Sequence, residues 1–440
     1  MSPDTQLRGG TNRRAYVNAI LVDPAQGLDG PGGLIIADGR IVAAGPKVTA
    51  AAAGAGTPII DCGGKLLFPG LVDMRVFTGE PGNEHRETLA SASEAAAAGG
   101  VTTMIVMPNT NPVIDDAAIV DFILRRARDT AIVRVAPMAA LTHGLGGERM
   151  TEIGMLQEAG AVAVTDGRHA IANARIFRRV LSYARDFGML VVQHVEEPTL
   201  ATGVMNEGEQ ATRLGLPGIP AAAEVIMLER DIRLVELTGA AYHAAQLSTA
   251  ASLDVMRAAK ARGLPVSCGV SVNHLVLNEN DIGAYRTFFK LSPPLRSEDD
   301  RNALVAGLAD GTIDVIVSSH DPQNADTKRL PFSEAEFGAI GLETLFSAAF
   351  GLVRSANVPL SRIIEAMTAS PARLLGLEAG SLGAGAPADF AIADPDQTWK
   401  VEDTALRSRS KNSPFEHHAL EGRIVETVVA GRSVYAYDQR

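Results

Sequence analysis

Residues 68–109 read FPGLVDMRVFTGEPGNEHRETLASASEAAAAGGVTTMIVMPN, and this stretch decides how the chain is interpreted. One apolar run, Leu66–Val72, overlaps its start, and a second, Thr102–Met107, closes it. Between them lies a segment with apolar residues three and four positions apart that ends at a glycine pair, which is typical of a helix and its end. Two buried strands joined by a helix form the parallel unit from which α/β sheets are built.

The same unit recurs along the middle of the chain. Apolar runs of strand length alternate with helical stretches from residue 66 to residue 377. The predicted strands are Leu66–Val72, Thr102–Met107, Val133–Leu141, Ala161–Thr165, Leu190–Gln193, Ala241–Leu247, Pro265–Val270 and Val315–Ser318. Units of this kind, repeated about eight times, favour the α/β class and a (β/α)8 TIM barrel domain over residues 66–377.

The two ends of the chain show a different pattern. Residues 1–65 and 378–440 contain short alternating strands separated by glycine, aspartate and proline turns, as hairpins are. We therefore predict that both ends together form one composite β-sandwich domain beside the barrel.

Composition excludes several classes of function. The formal net charge of −11 argues against the basic face of a nucleic-acid-binding protein and against an anionic membrane surface. No apolar run reaches the about 18 residues that a membrane span needs. Cys62 and Cys268 form neither a CxxC pair nor a disulfide framework, which favours a cytoplasmic protein.

Polar side chains follow the predicted strands. In a barrel, the C-terminal ends of the strands surround one mouth, where active sites lie. The polar residues near these ends are Asp73, Arg75, Glu80, Asn109, Asp166, Arg168, His169, His194, Glu196, Glu197, His243, Gln246, Asn273, His274, Ser319, His320 and Asp321.

With these motifs in place, the chain resembles the type I dihydroorotases of the amidohydrolase superfamily over essentially its whole length. The most specific stretch runs from EPGNEH to MPNT, at residues 80–110. Further matching motifs are TDG (165–167), QHVEE (193–197), YHAAQLST (242–249), LSPPLR (291–296), SSHDPQ (318–323), FGAIGLET (337–344) and NSPFE (412–416). The resemblance implies the barrel fold, hydrolysis of a cyclic amide, and zinc held by histidines and carboxylates.

The metal-binding pattern of that family is only partly present. The resemblance implies a His-x-His pair after strand 1, aspartates after strands 4 and 8, and histidines after strands 5 and 6. The residues at these positions are Arg75, Phe77, Asp166, His194, Gln246 and Ser319. Only Asp166 and His194 match, so we interpret them as vestigial metal ligands and expect no cofactor.

Substrate-binding positions are also altered. The arginine that the resemblance implies for the substrate carboxylate falls on Gly79, whereas its partner asparagine is kept as Asn109. The asparagine before the double proline is Ser292. Asp321 lies two residues beyond the lost aspartate, which places it about 6.5 Å farther along the chain, so we assign it to the pocket and not to a metal.

Arg75 indicates what replaces the metal. A buried Asp166 needs a positive partner, and a guanidinium group can bind a carboxylate through two hydrogen bonds. We therefore expect Arg75 to pair with Asp166, and Phe77 to fill the remaining volume.

Two functional interpretations follow. In the first, the protein is a catalytically inactive relative in pyrimidine biosynthesis that supports the assembly of aspartate carbamoyltransferase. The resemblance implies this role, and it also implies that the chain forms a homodimer. In the alternative, it is an active zinc-dependent cyclic amide hydrolase, either a dihydroorotase or an allantoinase- or hydantoinase-like relative, with a reduced metal site.

Overall fold

The centre of the molecule is a parallel barrel, seen in a computed structural model that describes residues 13–437. Its eight strands lie side by side in chain order. They are β6 (Leu71–Val76), β7 (Val101–Val106), β8 (Arg134–Ala139), β9 (Ala163–Val164), β10 (Val191–Gln193), β13 (Tyr242–Ala244), β14 (Val266–Ser271) and β15 (Val315–Val317). The last strand returns to the first through a parallel bridge between Val76 and His320, so the predicted barrel is confirmed.

Helices cover the outside of the barrel. They are α1 (Leu89–Ala98), α2 (Ala117–Thr130), α3 (Ile153–Ala159), α4 (Ala174–Asp186), α5 (Glu209–Leu214), α6 (Ala221–Thr238), α7 (Ala250–Ala261), α8 (Val272–Val276), α9 (Glu298–Ala309), α10 (Ala325–Lys328), α11 (Leu345–Ser355), α12 (Leu360–Met367) and α13 (Ala369–Leu375). Short 3-10 turns lie at Pro24–Gln26, His143–Leu145, Glu279–Ile282, Thr287–Phe289 and Asp403–Ala405.

Helix α1 shows how the sequence sets these boundaries. The Thr88 hydroxyl accepts a hydrogen bond from the Ser91 N–H at 3.1 Å, and the Ser91 hydroxyl accepts one from the Thr88 N–H at 3.0 Å. This reciprocal capping satisfies two donors at the start of the helix. The helix ends at Gly99, where an added Cβ would lie 2.0 Å from the Leu342 carbonyl oxygen.

Both chain ends contribute to a second, separate sheet of eight strands. These strands are β1 (Arg14–Asp23), β2 (Leu28–Ala37), β3 (Arg40–Gly45), β4 (Ile59–Asp61), β5 (Leu66–Pro69), β16 (Phe390–Lys400), β17 (Ala419–Val429) and β18 (Arg432–Ala436). The sheet has its own apolar core, in which the Tyr16 and Phe390 rings meet edge to face at 4.9 Å. A short parallel pair, β11 (Met205–Asn206) and β12 (Gly218–Ile219), lies between β10 and α6.

The first predicted strand, Leu66–Val72, is divided in the structure. Its first half, β5, pairs with β1 and β16 in the end sheet, and its second half begins β6 of the barrel. Gly70 separates them, and a Cβ there would lie 2.1 Å from the Thr102 hydroxyl oxygen. The boundary was missed because a continuous apolar run does not reveal which of two buried sheets each half joins.

Helices long and apolar enough to cross a membrane are absent from residues 13–437.

A buried ion pair joins the end sheet to the barrel. The carboxylate of Asp389, 5% exposed, accepts a hydrogen bond from the Arg134 Nε at 2.6 Å and another from the Ala430 N–H at 2.7 Å. Arg134 begins β8, whereas Ala430 lies in the turn between β17 and β18. The Asp389 side chain therefore links the end sheet to the first residue of a barrel strand.

Replacement of Asp389 by alanine should destabilise the protein by about 2–3 kcal/mol, because the Ala430 N–H and the half-buried Arg134 guanidinium group both lose the hydrogen bond to this carboxylate. The measurement is the urea-unfolding midpoint by circular dichroism. The matched control is Asp121→Ala, which removes the exposed Asp121–Arg125 pair of α2 and should cost about 0.5 kcal/mol or less. Equal midpoints for the two variants would contradict the linking role of Asp389.

Candidate functional site

The barrel mouth brings together the six residues that the sequence assigns to the pocket and the two that it assigns to a vestigial metal site, Asp166 and His194. Each lies at or just beyond the C-terminal end of a barrel strand. Arg75, Phe77, Asp166, His194, Gln246 and Asp321 are buried, and Asn109 and Ser319 are half-buried. The structure thus places all eight around one mouth, but it does not join them in the way that the sequence suggested.

The expected pairing of Arg75 with Asp166 is wrong. Asp166 Oδ1 accepts hydrogen bonds from the N–H groups of Leu141 and Thr142 at 2.8 and 3.0 Å, and Oδ2 accepts one from the Thr142 hydroxyl at 2.5 Å. Arg75 instead directs both terminal nitrogens at the Gly167 carbonyl oxygen, 3.4 Å away. The Asp166 carboxylate is therefore bound by donors from the loop after β8 and not by a guanidinium group.

Four side chains close the mouth, and we call Arg75, Phe77, Arg168 and Asp321 the mouth cluster. Two guanidinium groups lie over the Phe77 ring, with their carbons 5.2 Å (Arg75) and 5.0 Å (Arg168) from its centroid. Arg168 binds Asp321 through nitrogen–oxygen distances of 2.7 and 2.8 Å. Phe77 also packs into the apolar cluster inside the barrel, so it fills volume as expected.

Arg168 is the functional residue that the sequence analysis left without a role. It follows Asp166 by two residues, and its polarity was recognised. Its partner Asp321 follows the last barrel strand, far along the chain from Arg168, and no local pattern links the two positions. A salt bridge between the loops after β9 and β15 becomes visible only once the barrel is closed.

The burial of Arg75 has an electrostatic consequence. The side chain is only 2% exposed, and burial lowers the pKa of its guanidinium group to about 10, with the charge of Arg168 acting in the same direction. The charges of Asp321 and Asp73 oppose this shift. The mouth therefore holds two buried or half-buried arginines around one aromatic ring.

His194 and Gln246 complete the mouth on its far side. His194 Nε2 lies 3.1 Å from Glu196 Oε2 and 3.3 Å from the Ser292 hydroxyl. Both polar atoms of the buried Gln246 amide lack a hydrogen-bond partner among residues 13–437, as does Asn109 Oδ1. This side of the mouth therefore keeps buried polar atoms that no described residue satisfies.

The donor set does not fit zinc. A zinc site needs three or four nitrogen, sulfur or carboxylate ligands around one point. Within the described part of the chain, no three histidine, cysteine, aspartate or glutamate side chains are arranged to hold a metal. Asp166 is bound by the loop after β8, a guanidinium group has no lone pair to offer, and a cation would face the charge of Arg75.

The backbone at Ser319 is strained. Ser319 has φ of 52°, a left-handed conformation that is uncommon for a residue with a side chain. This turn directs the following segment across the mouth, where the Asp321 N–H donates to the Ala339 carbonyl oxygen at 2.7 Å. Asp321 thereby reaches Arg168 instead of the barrel axis.

Little space remains at the mouth. The cavity between the mouth cluster and the residues after β14 measures about 10 Å³, which is room for about one water molecule. Small-molecule sites usually enclose about 300–1,000 Å³. In this conformation the mouth does not admit a ring the size of a cyclic amide.

Asp73 lies beneath the mouth cluster. Its Oδ1 accepts hydrogen bonds from the N–H groups of Arg75 and Ser318, both at 3.2 Å. The residue is fully buried, and burial raises the pKa of its carboxyl group to about 6, although these hydrogen bonds act in the opposite direction.

Comparison with known proteins identifies the relatives of the chain. The Dihydro-orotase-like family model matches residues 64–252. Dihydroorotases from Citrifermentans bemidjiense and Anaeromyxobacter dehalogenans are 44% and 43% identical over 416 and 418 residues, covering 94% of this chain and 97% and 96% of those proteins. L-hydantoinase from Arthrobacter aurescens superposes with a TM-score of 0.87 at 25% identity, over 96% of both chains. Dihydropyrimidinase from Brevibacillus agri superposes with a TM-score of 0.82 at 20% identity, over 96% of this chain and 95% of that one, a likeness of fold alone.

The raised pKa of Asp73 predicts a pH dependence of stability. A carboxyl group with a folded-state pKa of about 6 favours folding fully below the unfolded pKa of about 4, and this contribution is lost as the pH rises through 6. The Asp73→Asn variant has no carboxyl group that titrates at this position. Its melting temperature should therefore rise relative to that of the native protein between pH 4 and pH 7, by an amount equivalent to about 2–3 kcal/mol.

The measurement is differential scanning calorimetry of both proteins across this pH range. Asp121→Asn, an exposed position on α2, serves as control and should run parallel to the native protein at every pH. A constant offset between Asp73→Asn and the native protein would show that Asp73 ionises in the folded state as it does in the unfolded chain.

Proposed function

The chain belongs to the dihydroorotase-like family, and we propose that it is a non-catalytic member that supports the assembly of aspartate carbamoyltransferase in pyrimidine biosynthesis. The observation that carries this proposal is the mouth cluster. Two guanidinium groups and a phenyl ring occupy the place where a hydrolase of this family needs a metal and its substrate.

The chemistry of cyclic amide hydrolysis gives the first argument. The reaction needs an activated water, a group that polarises the amide carbonyl, and a base that moves a proton. Arg75 cannot act as a base, because its pKa stays near 10 even when buried. Ser319 replaces the proton-transferring carboxylate, and Asp321 is engaged by Arg168. Among the described residues, the mouth cluster supplies none of the three functions.

Substrate binding gives the second argument. The carboxylate-binding arginine of the family falls on Gly79, and a Cβ at this position would lie 1.9 Å from the Asn83 carbonyl oxygen. The loop is closed by a hydrogen bond from the Gly79 N–H to the Glu87 carbonyl oxygen at 2.9 Å. A side chain at position 79 is therefore sterically excluded, and Asn109 lacks the partner with which it would bind substrate.

The partner and the assembly state follow from the family resemblance. A protein that has no catalytic activity can still bind a partner through its surface. We propose that the surface of this chain binds aspartate carbamoyltransferase, and that the chain is a homodimer in the cytoplasm. In this role the mouth does not have to open, because no substrate enters it.

One observation favours the alternative of an active cyclic amide hydrolase. The relatives with 43–44% identity are named dihydroorotases, and Asp166, His194 and Asn109 are kept. For this alternative, the mouth cluster has to move aside and a metal has to bind with two of its family ligands.

The deciding experiment is cyclisation of carbamoyl aspartate and hydrolysis of dihydroorotate, each with and without added zinc. We expect no turnover in either condition and well under one zinc per chain by plasma emission spectrometry. The matched control carries Arg75→His, Phe77→His, Gln246→His and Ser319→Asp, and should gain zinc. Zinc-dependent turnover by the native chain would establish the alternative.

The scaffold role is tested separately by co-expression with aspartate carbamoyltransferase. We expect the two chains to elute together in size-exclusion chromatography, with a mass by light scattering that fits a stoichiometric complex. An ornithine-specific carbamoyltransferase is the control and should elute alone. Separate elution of both carbamoyltransferases would reject the partner.

A further inference from the structure

Arg75 is a buried cation without a bound counter-charge. Its side chain is 2% exposed, and among residues 13–437 it forms no ion pair, because Arg168 takes the Asp321 carboxylate. Within the same residues, the only hydrogen bonds of its side chain are the two long ones to the Gly167 carbonyl oxygen, and its Nε has no partner. A buried charge in this state costs several kcal/mol unless something else compensates it.

The surrounding charges do not supply that compensation. Arg168 lies across the same ring and adds a second positive charge, and Lys328 lies close enough to act on Asp321. The Asp321 carboxylate interacts with both of these cations, and it also accepts a hydrogen bond from the Gln323 side chain at 2.8 Å. Asp73 acts on Arg75 from below, but its Oδ1 is engaged by two backbone N–H groups. Within the mouth cluster, two guanidinium groups face one carboxylate, and that carboxylate is bound to Arg168.

The cavity at the mouth offers hydrogen-bond donors beside this charge. Arg75 lines it together with the hydroxyl-bearing residues Ser271, Ser292 and Ser319. The Ser271 hydroxyl oxygen accepts from the Asn273 N–H at 3.2 Å, which leaves its proton free to donate. Guanidinium groups and serine hydroxyls are donors from which an anion can accept, and the Asp321 carboxylate that also lines this cavity is held by Arg168.

The volume limits which anion fits. A cavity of about 10 Å³ has room for about one water molecule, so a monatomic ion is the largest anion that small shifts of the lining side chains would admit. Phosphate, sulfate and ring carboxylates are too large unless the mouth cluster moves. We propose that the barrel mouth binds a single small monovalent anion, of the chloride class, at Arg75. The fold thus carries an anion where its hydrolase relatives are expected to carry a cation, and the proposal rests on the metal-free mouth proposed above.

The test uses the full chain, treated with a chelator, in sodium chloride, sodium bromide or sodium gluconate at one ionic strength. Gluconate is too large for the cavity. We expect the melting temperature in either halide to exceed that in gluconate by about 1–3 °C, because a ligand that binds only the folded state stabilises it. Arg75→Met, similar in length and uncharged, should lose this difference. Arg125→Met, on the exposed face of α2, should keep it.

A second measurement does not depend on any variant. Crystals of the native protein grown in bromide should show an anomalous peak within hydrogen-bonding distance of Arg75. Absence of that peak, or an equal halide effect in Arg75→Met, would overturn the anion site. The halide result is independent of the hydrolase assays, so zinc-dependent turnover would reject the proposed function and leave the chelated protein's anion binding as a separate result.

Discussion

The barrel closes between β6 and β15, and the state of its mouth depends on how that closure is made. The Phe77 N–H donates to the His320 carbonyl oxygen at 2.8 Å, and the Ser318 N–H donates to Asp73 Oδ1 at 3.2 Å. These bonds join the first and last strands of the barrel. They also fix the backbone on both sides of the mouth cluster, so the residues that fill the mouth belong to the segments that hold the barrel together.

This arrangement explains how a barrel tolerates two arginines at its centre. The Phe77 ring offers each guanidinium group an aromatic face, which compensates part of the lost hydration. Asp321 neutralises the outer of the two cations. Only the inner one, Arg75, is left with weak hydrogen bonds, and that imbalance is the origin of the anion site inferred above.

The sequence predicted the fold well and the contacts of the site poorly, for physical reasons. Strand and helix patterns depend on local periodicity, and the barrel strands lie within or close to the predicted runs. The division of Leu66–Val72 at Gly70 depends on which sheet each half joins, which is a tertiary property. Arg75 was expected at Asp166 because opposite charges attract, but Thr142, a neighbour only in the folded barrel, already satisfies that carboxylate. The sequence predicts which side chains lie at the mouth. It does not predict which of several neighbouring groups each side chain binds.

The loop around Gly79 has a consequence for evolution under the non-catalytic role proposed above. Under that proposal, each metal ligand that the family resemblance implies could be introduced by one substitution, because the strands that present these positions are in place. An arginine at position 79 could not be introduced in this way, since its Cβ would lie 1.9 Å from the Asn83 carbonyl oxygen. A change to catalysis would then have to rebuild the loop from residue 79 to residue 87 before a new side chain could confer an advantage, so under the proposed function this loop would make such a change difficult.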